Sequence, residues 1–412
     1  MILQKILAFI KRLFAPLDKP LLITSSLLSL LSLATLAGGI EYTGTKRMIM
    51  QFAMTVAGFV LMVIIAQLDF HTLVERGFWW LLLFSIAFLA FTLVFGKSQN
   101  GESNKSWLII PGIGITIQPS EFIKTTFILT FSGHLELVKD RINHPLYLGS
   151  LLLHAGLIIG LILLSGDLGV ALVFAAVMAL MLLCTGMSPW YGAGALGLAG
   201  LAAPLLWNRL IPYQQKRILV GFNPDLDPYG TGWQVIVSRR AIANGGFFGN
   251  GLFGGRYYLS LSAAHTDFFF ATFCEKFGFL GGTILILCEV YLLFRLIQLS
   301  RETRQDYGSF ICIGAAAVVF AQTVENLGMC LGVLPVVGIT LPFMSYGGSS
   351  VLGMYFLIGL VQGVAVHKKS RTVLSPAGTY GAAASPPGIK DLAARLRKYG
   401  STKKQGKTTK NS

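Results

Sequence analysis

Charged side chains are scarce in this chain. They make up 12% of its 412 residues, whereas a typical soluble domain has about 25%. Hydrophobic residues make up 54% of the chain and recur in runs long enough to cross a hydrocarbon core of about 30 Å. This composition excludes a water-soluble globular domain. Because a helix satisfies all of its own backbone polar groups in lipid, the pattern predicts an all-α polytopic membrane protein.

Two other kinds of pattern are missing. The cysteines are few and have no paired spacing, which excludes a disulfide framework and a cysteine metal site. No nucleic-acid-binding motif is present, so we expect no nucleic-acid partner. The five cysteines lie in or beside apolar runs, as small core residues do: Cys184, Cys274, Cys288, Cys312 and Cys330.

The apolar runs predict about ten transmembrane helices. A large extracytoplasmic loop, residues 209–266, lies between the seventh and the eighth. Lysine and arginine collect in one set of loops and in both termini, which makes these parts cytoplasmic. The predicted spans cover residues 20–40, 48–67, 79–96, 120–135, 147–165, 168–186, 190–208, 268–294, 308–331 and 349–366.

The chain divides into three predicted parts. Residues 1–19 form a basic leader, which is either an amphipathic helix on the cytoplasmic membrane surface or a solvated segment. Residues 20–366 form the transmembrane domain. Residues 367–412 are rich in Gly, Ala, Pro, Ser and Lys, and we expect a disordered cytoplasmic tail. Its positive charge, part of a formal net charge of +15, favours contact with membrane lipids.

Positive charge also occurs in the outer loops, where membrane insertion disfavours it. Arg47, Lys124 and Arg217 are among these residues. They predict an anionic ligand on the outer face. The alternative is that long outer loops simply tolerate charge.

An aspartate lies at the mouth of the eighth predicted span. Asp267 directly precedes the aromatic run Phe268–Phe270, which would partly remove its carboxylate from water. A carboxylate in this position is a candidate general base or cation ligand. The alternative is that Thr266 or Asp267 is only the N-cap of the helix that follows.

Further charged groups lie at membrane depth. Glu121 and Lys124 are three residues apart at the start of the fourth span, so they share a helix face and can pair. Asp167 separates the fifth and sixth spans, and Glu289 and Glu325 interrupt later ones. Some such groups only pair to hold helices together, but their origin in separate spans favours a polar cavity.

Two outer segments are rich in residues that bend the backbone. Residues 241–255 contain six glycines, which permit tight turns and a close approach to a ligand, although flexibility alone is the alternative. No GK[ST] sequence follows, so this is not a Walker phosphate loop. Residues 334–350 contain two prolines and two adjacent glycines, which predict a re-entrant or packed loop instead of a helix.

Several long motifs resemble one family of membrane proteins, the SEDS family (shape, elongation, division and sporulation). The RodA branch is a closer match than the FtsW branch. The motifs are QPSEFIK (118–124), the segment from Tyr213 through Ser238 to AIANGG (241–246), AHTDFFFA (264–271), NLGM (326–329) and LPVVGITLPFMSYGGSS (334–350). The chain departs from the family pattern at Ser262–Ala263, where the family usually has Pro-Glu, and at Glu275–Lys276, where it often has two glutamates.

The resemblance implies a peptidoglycan glycosyltransferase of the bacterial plasma (inner) membrane, with an extracytoplasmic active site. It implies lipid II and an undecaprenyl-linked glycan as substrates, a class B penicillin-binding protein as partner, and Asp267 as the essential outer aspartate. The residues implied for binding substrate and pyrophosphate are Gln118, Glu121, Lys124, Arg47, Arg217, Gln234, Ser238 and His265, with Asp167 and Ser345 elsewhere in the cavity.

The expected reaction transfers a sugar to a hydroxyl group, a poor nucleophile that Asp267 could deprotonate. A cation such as Lys124, or Mg²⁺ or Mn²⁺ with Asp267 as a ligand, would stabilise the pyrophosphate leaving group. No nucleotide is expected. Two alternatives from other classes stay open: a lipid II flippase, and a non-catalytic scaffold of a cell-wall synthase complex.

Overall fold

The structure is a computed structural model that describes residues 13–97, 105–109, 116–209, 212–230 and 232–371. Residues 1–12 of the predicted leader and residues 372–412 of the predicted tail lie outside the described residues. Both of these predictions therefore stay predictions. The last described helix continues to Arg371, five residues past the end of the predicted tenth span.

The described part is helical apart from one small hairpin. Its two strands, β1 (Leu108–Ile109) and β2 (Thr116–Ile117), are antiparallel. The helices are α1 (Lys19–Gly38), α2 (Ile40–Thr43), α3 (Thr45–Ile65), α4 (Phe70–Phe95), α5 (Pro119–Val138), α6 (Pro145–Leu164), α7 (Leu168–Cys184), α8 (Pro189–Trp207), α9 (Pro212–Phe222), α10 (Trp233–Asn244), α11 (Phe269–Glu302), α12 (Asp306–Leu331) and α13 (Gly348–Arg371).

Each of the ten predicted spans coincides with one long helix. Among the described residues, seven helices are long and apolar enough to cross a membrane: α1, α3, α4, α6, α11, α12 and α13. Helix α7 is apolar but shorter. The chain is therefore a multi-pass helical membrane protein, and the number of ten spans stays a prediction, because α5, α7 and α8 are not among these seven helices.

Helix α5 coincides with a predicted span although it carries several charged side chains. It contains Glu121, Lys124, His134 and Glu136, yet nearly all of its residues are buried. It packs against α4, α6, α12 and α13. Its polar groups therefore face protein and not lipid, as intramembrane charges do in other helical bundles.

Local chemistry explains where several helices begin. Asp18, Asp69 and Asp167 are the N-caps of α1, α4 and α7, and each carboxylate accepts a hydrogen bond from a first-turn amide. Such caps satisfy amides that have no partner inside the helix. The cap at Asp69 starts α4 at Phe70, nine residues before the predicted span, because Phe70, Val74 and Phe78 bury this extra length in the bundle.

The segment between α12 and α13 is not helical in the structure. Its chain, residues 332–347, is the packed loop that the prolines and glycines predicted. We call it the cover loop. It passes over the start of α11, where Asp267 lies.

Candidate functional site

Asp267 lies in a turn that immediately precedes α11. The N-cap of α11 is Phe268, which makes no side-chain capping bond. The hydroxyl of Thr266 donates to the Ala263 carbonyl, at 3.4 Å, and so does not cap the helix. The N-cap position of α11 thus falls one residue after Asp267. Asp267 itself is half-buried.

The cover loop holds this turn from one side. The amide of Tyr346 donates to the His265 carbonyl at 2.8 Å. The hydroxyl of Ser345 donates to the Thr266 carbonyl at 2.7 Å and accepts from the Leu341 amide. Ser345 is buried. This residue, predicted to line the cavity, therefore contacts the backbone of the turn and holds it in place.

Asn326 of α12 holds the turn from the other side. Its Nδ2 group donates to the Asp267 carbonyl and to the Ile339 carbonyl, both at 2.7 Å. Three successive carbonyls, of residues 265 to 267, are thus each held by a separate donor. Because Ile339 belongs to the cover loop, one fully buried amide joins α12, the turn and the loop.

The cover loop also approaches the carboxylate of Asp267. Gly338 has a φ of +75°, a conformation that glycine adopts without steric cost. A Cβ atom at this position would lie 3.5 Å from Oδ2 of Asp267. The absence of a side chain at Gly338 leaves room beside the carboxylate.

His265 lies beside Asp267 and faces Arg47 and Tyr346. Burial and, as the smaller cause, the charge of Arg47 together lower the pKa of His265 to about 4, so the imidazole is neutral near pH 7. Its ring centroid is 5.5 Å from that of Tyr346. Arg47 is exposed and donates to the Thr43 carbonyl. The turn therefore presents a neutral imidazole with a guanidinium nearby.

Glu121 and Lys124 form a buried ion pair, as their spacing predicted. The ammonium group of Lys124 lies 2.9 Å from both carboxylate oxygens of Glu121. Each side chain is 4% exposed. A buried pair is stable only while both charges are present, because loss of one leaves the other uncompensated.

Gln118 and Asp167 extend this cluster. Gln118 donates from Nε2 to Oδ2 of Asp167 at 2.9 Å, while Oδ1 of Asp167 accepts from the Val170 amide at 3.1 Å. Burial raises the pKa of Asp167; hydrogen bonds from Val170, Ser106 and Gln118 oppose this rise, and the charge of Glu121 adds to it. Asp167 also lines a small cavity, of about 10 Å³, between α4, α5 and α6.

The sequence of this chain matches one protein family over nearly all of the described residues. The family is the FtsW/RodA/SpoVE family, described as cell cycle protein, and the match covers residues 18–370. The chain belongs to this family.

Individual members and structures agree with this assignment. The probable peptidoglycan glycosyltransferase FtsW of Trichlorobacter lovleyi is 33% identical over 70% of this chain and 76% of its own length. A chain of a peptidoglycan synthase complex that coordinates polymerization and crosslinking is 28% identical, covers 86% of this chain and 98% of its own, and has a TM-score of 0.74. RodA of Thermus thermophilus is 25% identical, covers 85% of this chain and 97% of its own, and has a TM-score of 0.64.

Residues predicted for the site fall into two clusters. One is the Asp267 turn with His265, Ser345 and Arg47; the other is Gln118, Glu121, Lys124 and Asp167. Helix α12 joins them: Asn326 binds the Asp267 carbonyl, and its neighbour Glu325 lies within electrostatic range of Lys124. The sequence marked Glu325 as a charge inside a span but did not place it, or Asn326, in the site.

Three other predicted residues have different surroundings. Oε1 of Gln234 accepts from the amide and hydroxyl of Ser262 at 3.0 and 3.2 Å, which fixes the segment before the turn. Ser238 is fully buried and donates to the Cys330 carbonyl at 2.8 Å, so it joins α10 to α12 and offers no surface to a substrate. The side chain of Arg217 lies outside the described residues.

A divalent cation would need ligands from outside this set. In the part of the chain that the structure describes, no three His, Cys, Asp or Glu side chains are grouped as metal ligands. An ion at Asp267 would therefore take most of its ligands from water or from phosphate oxygens. The predicted Mg²⁺ or Mn²⁺ stays a prediction.

Replacing Asn326 tests its role as a positioning residue. Asn326→Ala removes the amide donor from the Ile339 and Asp267 carbonyls and leaves Asp267 only the weak thiol donor of Cys330, at 3.7 Å. An unsatisfied buried group costs about 1–3 kcal/mol. We expect the kcat of the family's polymerisation reaction to fall about tenfold or more, with KM nearly unchanged, because about 1.4 kcal/mol of barrier is a factor of ten. Gln322→Ala is the matched control, since it also removes a buried amide from α12. An equal loss in both variants would show that α12 is merely destabilised.

Proposed function

We propose that this protein is a peptidoglycan glycosyltransferase. It transfers the glycan of a polyprenyl-pyrophosphate donor, such as an undecaprenyl-linked glycan, to the 4-hydroxyl of lipid II. The observation that carries the proposal is the Asp267 turn, whose three successive carbonyls are each held by a donor from α12 or the cover loop. A carboxylate on so constrained a backbone fits a residue that must meet a reacting hydroxyl in one orientation.

The proposed chemistry uses two charges of opposite sign. Asp267 accepts the proton of the 4-hydroxyl as it attacks the anomeric carbon of the donor. The bond from that carbon to the pyrophosphate oxygen breaks, and negative charge grows on the leaving group. Lys124 and Arg47 stabilise this charge. Neutral His265 orients the substrate beside the carboxylate.

Further parts of the proposal concern setting and partners. We place the protein in the bacterial plasma (inner) membrane, with cytoplasmic termini and the Asp267 turn outside. A class B penicillin-binding protein is the proposed partner, in line with the synthase complex that the fold matches. Cell-wall elongation or cell shape, the RodA-like role, is the proposed process. A divalent cation that bridges Asp267 and the pyrophosphate remains part of the proposal; the steps above do not depend on it.

The decisive experiment uses purified protein and lipid II. We expect gel-resolved glycan polymer, with a low rate for the protein alone and a higher rate when a cognate class B penicillin-binding protein is added. A flippase would move lipid II across a vesicle membrane and yield no polymer. A scaffold would yield polymer only when a partner with its own glycosyltransferase activity is present. Either result contradicts the proposal.

The proposed orientation can be tested by labelling single cysteines. Tyr229 is 93% exposed and lies in the predicted outer loop, whereas Arg304 lies between α11 and α12 on the predicted cytoplasmic side. In a Cys184→Ser background, which removes an exposed native thiol, we expect an impermeant reagent to label Tyr229→Cys in intact cells. Arg304→Cys should react only in inverted vesicles. The opposite pattern would invert the topology.

A further inference from the structure

The glycine-rich segment 245–254, here called the glycine loop, is joined to α11 by an exchange of backbone hydrogen bonds. Gly278 has a non-helical conformation, with φ of 69° and ψ of −168°, and kinks α11. After the kink, the Phe279 and Leu280 amides donate to the carbonyls of residues 246 and 247 in the glycine loop. In an unbroken helix these two amides would bind the carbonyls of residues 275 and 276.

Those two carbonyls receive donors from the same loop. The Glu275 carbonyl accepts from the Asn250 amide at 3.1 Å, and the Lys276 carbonyl accepts from the Gly251 amide at 3.1 Å. The loop thus satisfies these four backbone groups beside the kink. Gly249 permits the close contact, because a Cβ atom there would lie 2.1 Å from the Lys276 carbonyl oxygen.

Lys276 fixes the far end of the loop. Its buried ammonium group donates to the carbonyls of Leu252, at 2.8 Å, and Gly254, at 3.4 Å. It also donates to the Gly38 carbonyl at the end of α1. The glycine loop is therefore a bonded part of the bundle. Non-helical backbone is tolerated at membrane depth only when its polar groups are satisfied in this way.

The loop nevertheless exposes three large aromatic side chains. Phe247, Phe248 and Phe253 are 57%, 77% and 79% exposed, and Phe279 of α11, beside them, is 66% exposed. The ring centroids of Phe247 and Phe279 are 5.9 Å apart. No residue from 245 to 254 is charged. A rigid, uncharged patch of exposed phenyl rings marks a binding surface.

The position of the patch along α11 indicates what covers it. Phe279 is the first residue of an exposed apolar stripe that ends at Ile297. At about 1.5 Å per residue this stripe is about 27 Å long, close to the thickness of about 30 Å of a hydrocarbon core. The aromatic patch thus continues the lipid-facing surface of α11 at its upper edge. Residues of the stripe include Phe279, Leu280, Ile284, Leu287, Phe294 and Ile297.

Charge near the patch fits the same occupant. Arg240 and Arg256 flank the glycine loop in sequence, and both are exposed. Exposed phenyl rings in a segment with arginines next to it in sequence are typical of elements that lie in a membrane interface. The patch lies directly next to the lipid-facing stripe of α11. Binding of a soluble partner would not require this position.

We propose that the glycine loop is inserted into the membrane leaflet on the Asp267 side, where Phe247, Phe248 and Phe253 contact the upper acyl chains of the lipid. Because the loop is bonded to α11 and leads through residues 255–264 to the Asp267 turn, its insertion sets the height of that turn above the bilayer. A lipid-linked substrate would then meet the turn at a fixed depth. This proposal depends on the membrane-spanning fold and not on the proposed function.

Depth-dependent fluorescence quenching tests the insertion. An environment-sensitive fluorophore is attached to the cysteine introduced by Phe248→Cys or, in a second variant, by Phe253→Cys. Both variants are made in the Cys184→Ser background. The full chain is reconstituted alone into phosphatidylethanolamine–phosphatidylglycerol vesicles. Tyr229→Cys is the matched control, because Tyr229 is an exposed aromatic of the same segment between α8 and α11. The Cys184→Ser protein without an introduced cysteine, treated with the same fluorophore, serves as the blank.

We expect lipids brominated in the upper acyl chain to quench the probes at 248 and 253 but not at 229. The iodide quenching constant should be several-fold lower at 248 and 253 than at 229. Equal access of iodide to all three sites would overturn the proposal. So would shielding from iodide without quenching by brominated lipid, which would mean that a second copy of the chain covers the patch. Quenching by brominated lipid of the probe at 248 in one variant and of the probe at 253 in the other supports insertion.

Discussion

Asp267→Asn is expected to lower the rate of glycan polymerisation by about 10²–10⁴-fold, the usual cost of removing a general base. Asparagine keeps the size of the side chain and can still accept a hydrogen bond, but it cannot take up the proton of the attacking hydroxyl. The backbone of the turn should be unchanged, because its three carbonyls are held by Tyr346, Ser345 and Asn326 and not by the carboxylate. Expression and lipid II binding should therefore persist.

The measurement is gel-resolved glycan from purified wild-type and variant proteins, with lipid II binding determined in parallel. Asp225→Asn is the control, since it makes the same chemical change at an exposed site and should leave the rate within a factor of two or so, as most surface substitutions change little. Normal yield from Asp267→Asn would remove Asp267 from catalysis. It would then favour a flippase or a scaffold.

A metal titration separates a base from a metal ligand at the same position. If Asp267 binds Mg²⁺ or Mn²⁺, asparagine should weaken the affinity for the ion, and activity should recover as the metal concentration rises. If Asp267 is the base, the loss should persist at every metal concentration. The two outcomes differ in the shape of the titration curve, not only in the yield.

The sequence predicted those parts of the site that depend on local spacing. Glu121 and Lys124 are three residues apart, and an α-helix brings such residues to one face, so their pairing followed once the helix was predicted. The prolines and glycines of the cover loop likewise excluded a helix whatever lay nearby. For Asp267 the local pattern fitted both a cap and a base. The structure puts the N-cap position one residue later, at Phe268, and the role as base belongs to the proposed function.

Long-range contacts could not be predicted in the same way. The glycines of residues 245–254 were consistent with flexibility alone. In the structure this segment is hydrogen-bonded to residues 275–280 of α11, which are distant in sequence. Lys276 departs from the glutamate pair common in the family, and its partners are carbonyls, which the sequence does not identify. Ser238 was predicted to contact substrate, and its burial depends on how α10 packs against α12.

Asn326 illustrates the same limit. A side-chain amide in an apolar span is a visible signal, because an unpaired amide in such a place is costly. The signal indicates that Asn326 must have partners, but not that they are the carbonyls of Asp267 and Ile339. A buried polar residue inside a span is therefore a reason to search for the functional group that it supports.

Removing the charge of Lys124 is expected to have the other large effect, and the structure changes how this should be tested. Lys124→Ala leaves Glu121 as a buried carboxylate without its partner, and breaking a buried pair in this way costs about 3–5 kcal/mol of stability. Loss of activity in the single variant could therefore come from a damaged fold. The double variant Glu121→Gln with Lys124→Met avoids this, because it removes both charges and keeps similar side-chain volumes.

We expect Lys124→Ala and the double variant both to lose about 10²–10³-fold in polymerisation rate, the usual effect of deleting one group that stabilises a developing negative charge. The double variant should keep the thermal stability of the wild type, measured by loss of monodispersity on heating. Lys124→Arg should recover only part of the rate, because the planar guanidinium differs in shape and hydration from an ammonium group. Wild-type polymerisation by the double variant would show that Lys124 only neutralises Glu121, and that the leaving pyrophosphate is stabilised by another cation.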